Sequence, residues 1–289
     1  MFQPIRPFQA AKPDNLQQLS AGLFAGDALC RCLPLGESAA WVSGTESDGT
    51  ASRFLVRPFP GDVAGEDFFN PLEVHGLAFE FAAVPHTEVG FLSFARRYGF
   101  LGVPRATDEN PPQYLGECWT DWQDAHAKIG AAVNTLRYVE SGQEPVELRA
   151  DGTPCLGTAR AGIIGDINEN LKSVTSMRVV WSDSKQRHEL RAVPLTLLGA
   201  MWWQVARLFV GEVSYTRCKV CGKYMERGPR EAGTAARMAN AVFCSATCRS
   251  RGHRMRAKAH ALRSAGAAIS DIAKHLTTDE ATVNEWLVS

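Results

Sequence analysis

Four of the eight cysteines fall within 31 positions: Cys218 and Cys221 with two residues between them, Cys244 and Cys248 with three. Two close pairs of thiolates supply the tetrahedral shell of a structural zinc site at low entropic cost, because local backbone already clusters each pair. The alternative is that these thiols are incidental or redox-active. Gly222, directly after Cys221, suits a tight knuckle that needs a residue at positive φ. The i, i+4 spacing of Cys244 and Cys248 predicts two sulfurs on one face of a helix's first turn, with Ser245 and Thr247 in that turn. An Ala/Arg/Lys-rich segment to Ala265 continues the helix. Knuckle, hairpin and helix together are the layout of a treble-clef zinc finger. His253 and His260 could also ligate, but four thiolates already complete the shell. Cys30, Cys32, Cys118 and Cys155 have no matching spacing and read as core or incidental thiols.

The helix after Cys248 carries the second pattern. At about 100° per residue, Cys244, Cys248, Met255 and Leu262 form an inward seam. Arg249, His253, Arg256, His260 and Arg263 line a stripe about a third of a turn away, and Arg251, Arg254 and Lys258 cluster on another side. No acid occurs between Glu231 and Asp271, whereas a solvated helix usually mixes signs. A phosphate-contacting face is therefore expected, the alternative being a solvated basic surface. The chain's formal charge of zero hides this feature: residues 217–263 hold 12 basic and 2 acidic residues, a net +10 against −7 for residues 1–216 and −3 for the tail.

After Gly266, Ile269, Ile272, Ala273 and Leu276 repeat at helical spacing; Asp279 is a good N-cap, and Val283, Trp286 and Leu287 repeat again. Two short amphipathic helices joined by a tight turn predict a helix-turn-helix, with Thr277 where glycine is usual. Thr282 and Asn284 could reach base edges, although Asp279, Glu280 and Glu285 would repel phosphates. The tail is thus either a DNA reader or a packing and dimerisation element.

The segments CKVCGKYM and FCSATCRSR resemble the CGNR-type zinc finger at the C-terminus of bacterial proteins described as stress-induced transcription regulators. Cys248-Arg249-Ser250-Arg251 stands where that family has Cys-Gly-Asn-Arg, so Cys248 and Arg251 match. FLSFARRYGFLG at 91–102, the acidic Trp-rich helix after it and LTLLGAMWWQVARLFVGE before the knuckle extend the similarity over about residues 85–265. The resemblance implies a zinc-dependent DNA-binding regulator.

The elements that must position these residues make up an α+β N-terminal domain, mostly helical with small hairpins. A short helix is expected near Leu16–Phe24, a hairpin from Trp41–Ser43 and Arg53–Arg57, and a strand over Leu77–Val84. Helices are expected over Thr87–Tyr98, Glu117–Ser141, Gly162–Ser173 and Leu195–Val210, with a second hairpin from Met177–Trp181 and Arg187–Val193. Domain boundaries are placed at 1–212, 213–265 (finger and basic helix) and 266–289 (tail). The 45% apolar and 21% charged composition suffices for a sizeable core.

Catalysis is not expected. The run GTARAGIIGD (157–166) lacks the Lys-Ser/Thr of a phosphate loop, and His75, His86, His126 and His188 are scattered. Glu117, Asp121 and Asp124 share a side of a helix and could hold a metal, but a solvated acidic face is the simpler reading. No secretory signal is read in Met1–Asp14, and Leu195–Val210 is too short and too interrupted to span a bilayer. The expectation is a cytoplasmic, zinc-dependent nucleic-acid-binding protein, a DNA-binding transcription regulator without a membrane partner. Its N-terminal domain would sense a small ligand or mediate self-association. The competing expectation is a protein-interaction module with purely structural zinc, its basic segment docked on an acidic surface.

Overall fold

Strand formation in the first half follows two β-branched and aromatic runs around a polar turn. The computed structural model describes residues 8–9, 32–45, 50–58, 68–102, 105–106, 114–140, 147–148, 154–155, 158–182, 186–228 and 241–288. The helix expected at Leu16–Phe24 lies outside them. The chain divides into two compact units, Met1–Val210 and Gly211–Ser289, the second combining the expected finger and tail.

In the first unit, β1 (Phe8–Gln9) runs parallel to β2 (Ala40–Thr45), which forms an antiparallel hairpin with β3 (Ala51–Pro58). A 3-10 turn (Pro71–Glu73) precedes α1 (Leu77–Ala82) and α2 (Glu88–Tyr98). β4 (Arg105–Ala106) and β5 (Tyr114–Cys118) then complete a sheet of order β1-β2-β3-β5-β4. Phe54, Leu55 and Val56 are all at most 1% exposed, so central β3 is covered on both faces. β5 runs straight into α3 (Trp119–Glu140). The small hairpin β6 (Glu147–Leu148) and β7 (Pro154–Cys155) leads to α4 (Thr158–Val174), the longer hairpin β8 (Thr175–Ser182) and β9 (Arg187–Pro194), and α5 (Leu197–Phe209).

The core of this unit is helical. Trp122, Ile129, Val133 and Leu136 of α3 are buried, as are Leu197, Met201, Trp202 and Val205 of α5. α1 packs on both helices. Thr87 and Thr196 cap α2 and α5 by accepting the N–H groups of Gly90 and Gly199 at 3.1 and 3.0 Å. Residues 77–82 are helix, correcting the strand expected at Leu77–Val84. The period-2 apolar pattern is overridden because Leu77, Ala78 and Phe81 all have to face the core. Phe81 there sits among the rings of Phe91, Phe94 and Trp122, with centroids 4.9–6.4 Å apart within the cluster. The helix α3 starts two residues later than expected, leaving Glu117 on β5. No helix among the described residues is long and apolar enough to cross a membrane.

The second unit begins with the antiparallel hairpin β10 (Ser214–Arg217) and β11 (Tyr224–Arg227), joined by the Cys218–Lys223 turn. The helix α6 (Ala246–Ser264) is followed by α7 (Ile269–Leu276) and α8 (Glu280–Val288). Ala259 of α6, Ile272 and Ala273 of α7, and Val283 and Trp286 of α8 form one buried cluster, with Met255 and Leu262 against it. The tail is thus packed on the second half of the basic helix.

Candidate metal centre and the helix it anchors

The turn after β10 is built around Cys218. Its N–H donates to the Lys223 carbonyl at 2.9 Å, and its carbonyl accepts the Gly222 N–H at 2.9 Å. Gly222 has φ +69°, the left-handed conformation expected of the knuckle. Lys219 N–H donates to the Val242 carbonyl at 3.1 Å, which draws the segment leading to Cys244 alongside the turn. The Cys244 N–H then points at Cys218 Sγ, 3.4 Å away.

Ser245 caps α6 by accepting the Cys248 N–H at 3.1 Å, which corrects one detail of the expected geometry. Cys244 stands just outside the helix, and only Cys248 is in its first turn. The cap turns the chain so that the two sulfurs still meet at 3.5 Å; Cys221 Sγ is also 3.5 Å from Cys244 Sγ. All four sulfurs lie within 4.8 Å of one another. Tetrahedral thiolates at about 2.3 Å from a metal are about 3.8 Å apart, so the donor set fits one ion.

The electrostatics favour that use. Burial opposes ionisation of Cys218, but the N–H groups of Cys221, Cys244 and Val220 directed at its sulfur bring the thiol down to about 6. Burial and the three neighbouring sulfurs push Cys244 up to about 12. Burial likewise pushes the Cys221 thiol up, so Cys218 is the thiol most readily ionised and a bound cation would have to displace the protons of Cys221 and Cys244. The anionic cluster also sits at the positive end of the α6 dipole.

Gly252 lets the helix approach this cluster. A Cβ there would come within 2.7 and 2.9 Å of the Phe243 ring and 3.2 Å of Val220. Gly252 stands one helical turn beyond Cys248, a place that the cysteine spacing alone does not mark. Arg217 stacks over the Tyr224 ring at 4.6 Å and donates to its hydroxyl at 3.1 Å, a second basic feature on the hairpin that periodicity could not reveal.

Of the residues expected to contact nucleic acid, Arg249, Arg251, His253, Arg254, Lys258, His260 and Arg263 are exposed on α6, and Arg256 is half-buried. Arg263 is partly engaged, donating to the Ala267 carbonyl at 3.1 Å. The His253 ring lies 6.4 Å from that of Phe243, and neither His253 nor His260 joins the cysteine cluster. In the tail, Asn284 is exposed, but the Thr282 hydroxyl donates to the Asp279 carboxylate at 2.9 Å and serves the cap of α8. Glu285, one of the acids that would repel a polyanion, forms an ion pair with Lys219 of the knuckle. Thr277 adopts φ 53° and ψ 50°, so the turn between α7 and α8 has the left-handed geometry that glycine usually supplies.

Cys32 and Cys118 are buried thiols remote in sequence from the cluster, and Cys118 Sγ is 2.9 Å from the Ser52 hydroxyl. Comparison of the chain with models of known protein families, with curated proteins and with solved structures finds no match.

Proposed function

We propose that this protein is a zinc-dependent nucleic-acid-binding protein and acts as a DNA-binding transcription regulator. In this reading Cys218, Cys221, Cys244 and Cys248 hold zinc in a treble-clef finger of the CGNR type. A tetrahedral all-thiolate shell suits zinc, which needs no open coordination position when its role is structural. The observation that carries the proposal is the basic helix itself. α6 is held at its first turn by the cysteine cluster and along its second half by the packed tail, and it presents exposed cations on both flanks. Among the described residues, Arg249, Arg251, Arg254, Arg256 and Lys258 have no acidic partner. A rigid array of uncompensated cations binds phosphates without the ordering cost of a flexible tail.

The tail supports this role from behind. With Thr282 in a cap and Glu285 paired, α8 offers Asn284 as its remaining candidate base contact, and α6 carries the main surface.

The test combines metal analysis with a salt titration of duplex DNA binding by the full chain. About one zinc per chain is expected. If about five phosphates are neutralised, log affinity falls against log salt with a slope of about −4 to −5. A slope near zero would remove the nucleic-acid reading and leave a protein-interaction module with structural zinc.

A further inference from the structure

The cations of α6 are arranged in two rows rather than one patch. The triplets Arg249-Ser250-Arg251 and Arg256-Ala257-Lys258 start seven residues apart and repeat the same order of cation, small residue, cation. At about 100° per residue, the two cations of each triplet diverge by about 160° around the axis, and the small residue between them points outward. His253 and His260 extend the row of Arg249 and Arg256, and Arg254 extends the other. Between the rows, Ser250, Ala257, Ala261 and Ser264 form an outward ridge, and all four are exposed. The opposite face is already covered: Gly252 lies against Phe243 and Val220, while Met255, Ala259 and Leu262 pack with the tail.

Among the described residues, Arg249, Arg251, Arg254, Arg256 and Lys258 have no acidic partner, so both rows carry uncompensated charge. Because the rows face away from each other, a flat anionic surface or a single anionic strand can meet only one of them. Compensating both takes two anionic rails with space for a helix between them. The major groove of a B-form duplex provides this: it is about 12 Å wide and about 8.5 Å deep, against about 10–12 Å for a helix with its side chains, and phosphates of both strands wall it. The small ridge residues suit that fit, since a long side chain there has to match a base edge or hold the helix off the groove floor. Duplex RNA offers a deep, narrow major groove that does not admit a helix. A second copy of α6 is disfavoured by like charge.

We propose that α6 lies in the major groove of B-form duplex DNA with its two cation rows on opposite phosphate backbones, Arg249 and Arg256 on one and Arg251, Arg254 and Lys258 on the other. The inference rests on the nucleic-acid reading above and adds which duplex, which groove and which face of the helix enters it. Readout of base edges from the ridge is confined to the hydroxyls of Ser250 and Ser264 and the methyl groups of Ala257 and Ala261, so phosphate contacts supply most of the affinity.

The experiment is a salt titration of full-chain binding to a mixed-sequence DNA duplex and to the RNA duplex of the same sequence. The RNA is bound about tenfold more weakly or worse. The double variants Arg249→Gln/Arg256→Gln and Arg251→Gln/Lys258→Gln each reduce the steepness of the DNA salt slope by about two, because both walls are engaged. Ala257→Leu lowers DNA affinity about tenfold or more, although it changes no charge and leucine suits an exposed helix position. Ala261→Leu, one turn further on the same ridge, has the same effect. RNA affinity equal to or above that for DNA, a salt slope that responds to one row only, or unchanged DNA affinity in both leucine variants would each overturn groove insertion while leaving polyanion binding in place. Failure to bind either duplex would instead remove the nucleic-acid reading itself, and this inference with it.

Discussion

Single residues carry much of the positional information here, and two of them, Gln204 and Glu117, do so through backbone groups elsewhere. Gln204 sits fully inside the apolar helix α5, where a polar side chain is costly unless bonded. Its Oε1 accepts the Ala78 N–H at 3.3 Å and its Nε2 donates to the Val74 carbonyl at 2.6 Å. It therefore caps α1 from 126 residues away, where Gly76 provides no side chain to do so. Replacing Gln204 with Leu should destabilise the first unit by about 1–3 kcal/mol, read from denaturant unfolding, because both backbone groups lose their partner. Glu117 acts on stability through its proton. Its carboxyl is raised from 4.5 to about 7 on folding, so the native state holds the proton more tightly than the unfolded chain. That contribution is complete below about pH 4.5 and is lost as pH rises through 7, a change of about 3 kcal/mol. Melting temperature should decline over pH 5 to 8 through this group, and the decline should flatten in Glu117→Gln; an identical pH profile in that variant would contradict the assignment. Thr277 stores strain in its left-handed φ of 53°. Glycine there should stabilise the α7–α8 turn by about 1 kcal/mol, seen as slower amide exchange in both helices.

At the scale of elements, the helices legible in sequence are those with a local cap and a one-sided apolar pattern. Thr87 and Thr196 mark the starts of α2 and α5, and the buried face of α3 follows a regular spacing. The segment at 77–82 was misread because Leu77, Phe79 and Phe81 also satisfy a period of two. Only the aromatic cluster around Phe81 decides between the two folds. The cysteines were legible because metal donors come in local pairs, whereas the seating of Glu117 was not, since its carboxylate accepts the N–H groups of Leu101 and Gly102 from a separate loop. Gly252 belongs to the same class of long-range constraint. It lets Phe243 and Val220 touch α6, so Gly252→Ala should push the helix off the knuckle while leaving its intrinsic helicity intact or higher. Overpacking of this kind costs about 1–3 kcal/mol, hence an expected loss of about ten- to a hundredfold in metal affinity in chelator competition. Unchanged affinity would mean that the knuckle adjusts without strain.

For the molecule as a whole, the zero net charge is the sum of two units with different demands. The first has a core large enough to stand on its own sheet and helices. The second, Gly211–Ser289, is small, with its apolar cluster centred on Ala259, Ile272, Ala273, Val283 and Trp286, and a single core in a domain of this size gains from a further constraint. The cysteine cluster supplies that constraint at one end of α6, and the Lys219–Glu285 ion pair joins the knuckle to α8 at the other end of the sequence. Metal removal should therefore act beyond the cysteine cluster. With a strong chelator, amide protection should fall in β10, β11 and α6 and also in α7 and α8, while the first unit keeps its protection. In the proposed nucleic-acid reading, DNA affinity should fall with it, because α6 would have to be ordered on binding. The salt slope should stay near its original value, since the charges remain on the chain even when their arrangement is lost. Full protection of residues 269–288 after chelation would show that the three-helix cluster stands alone and that metal governs only the first turns of the basic helix.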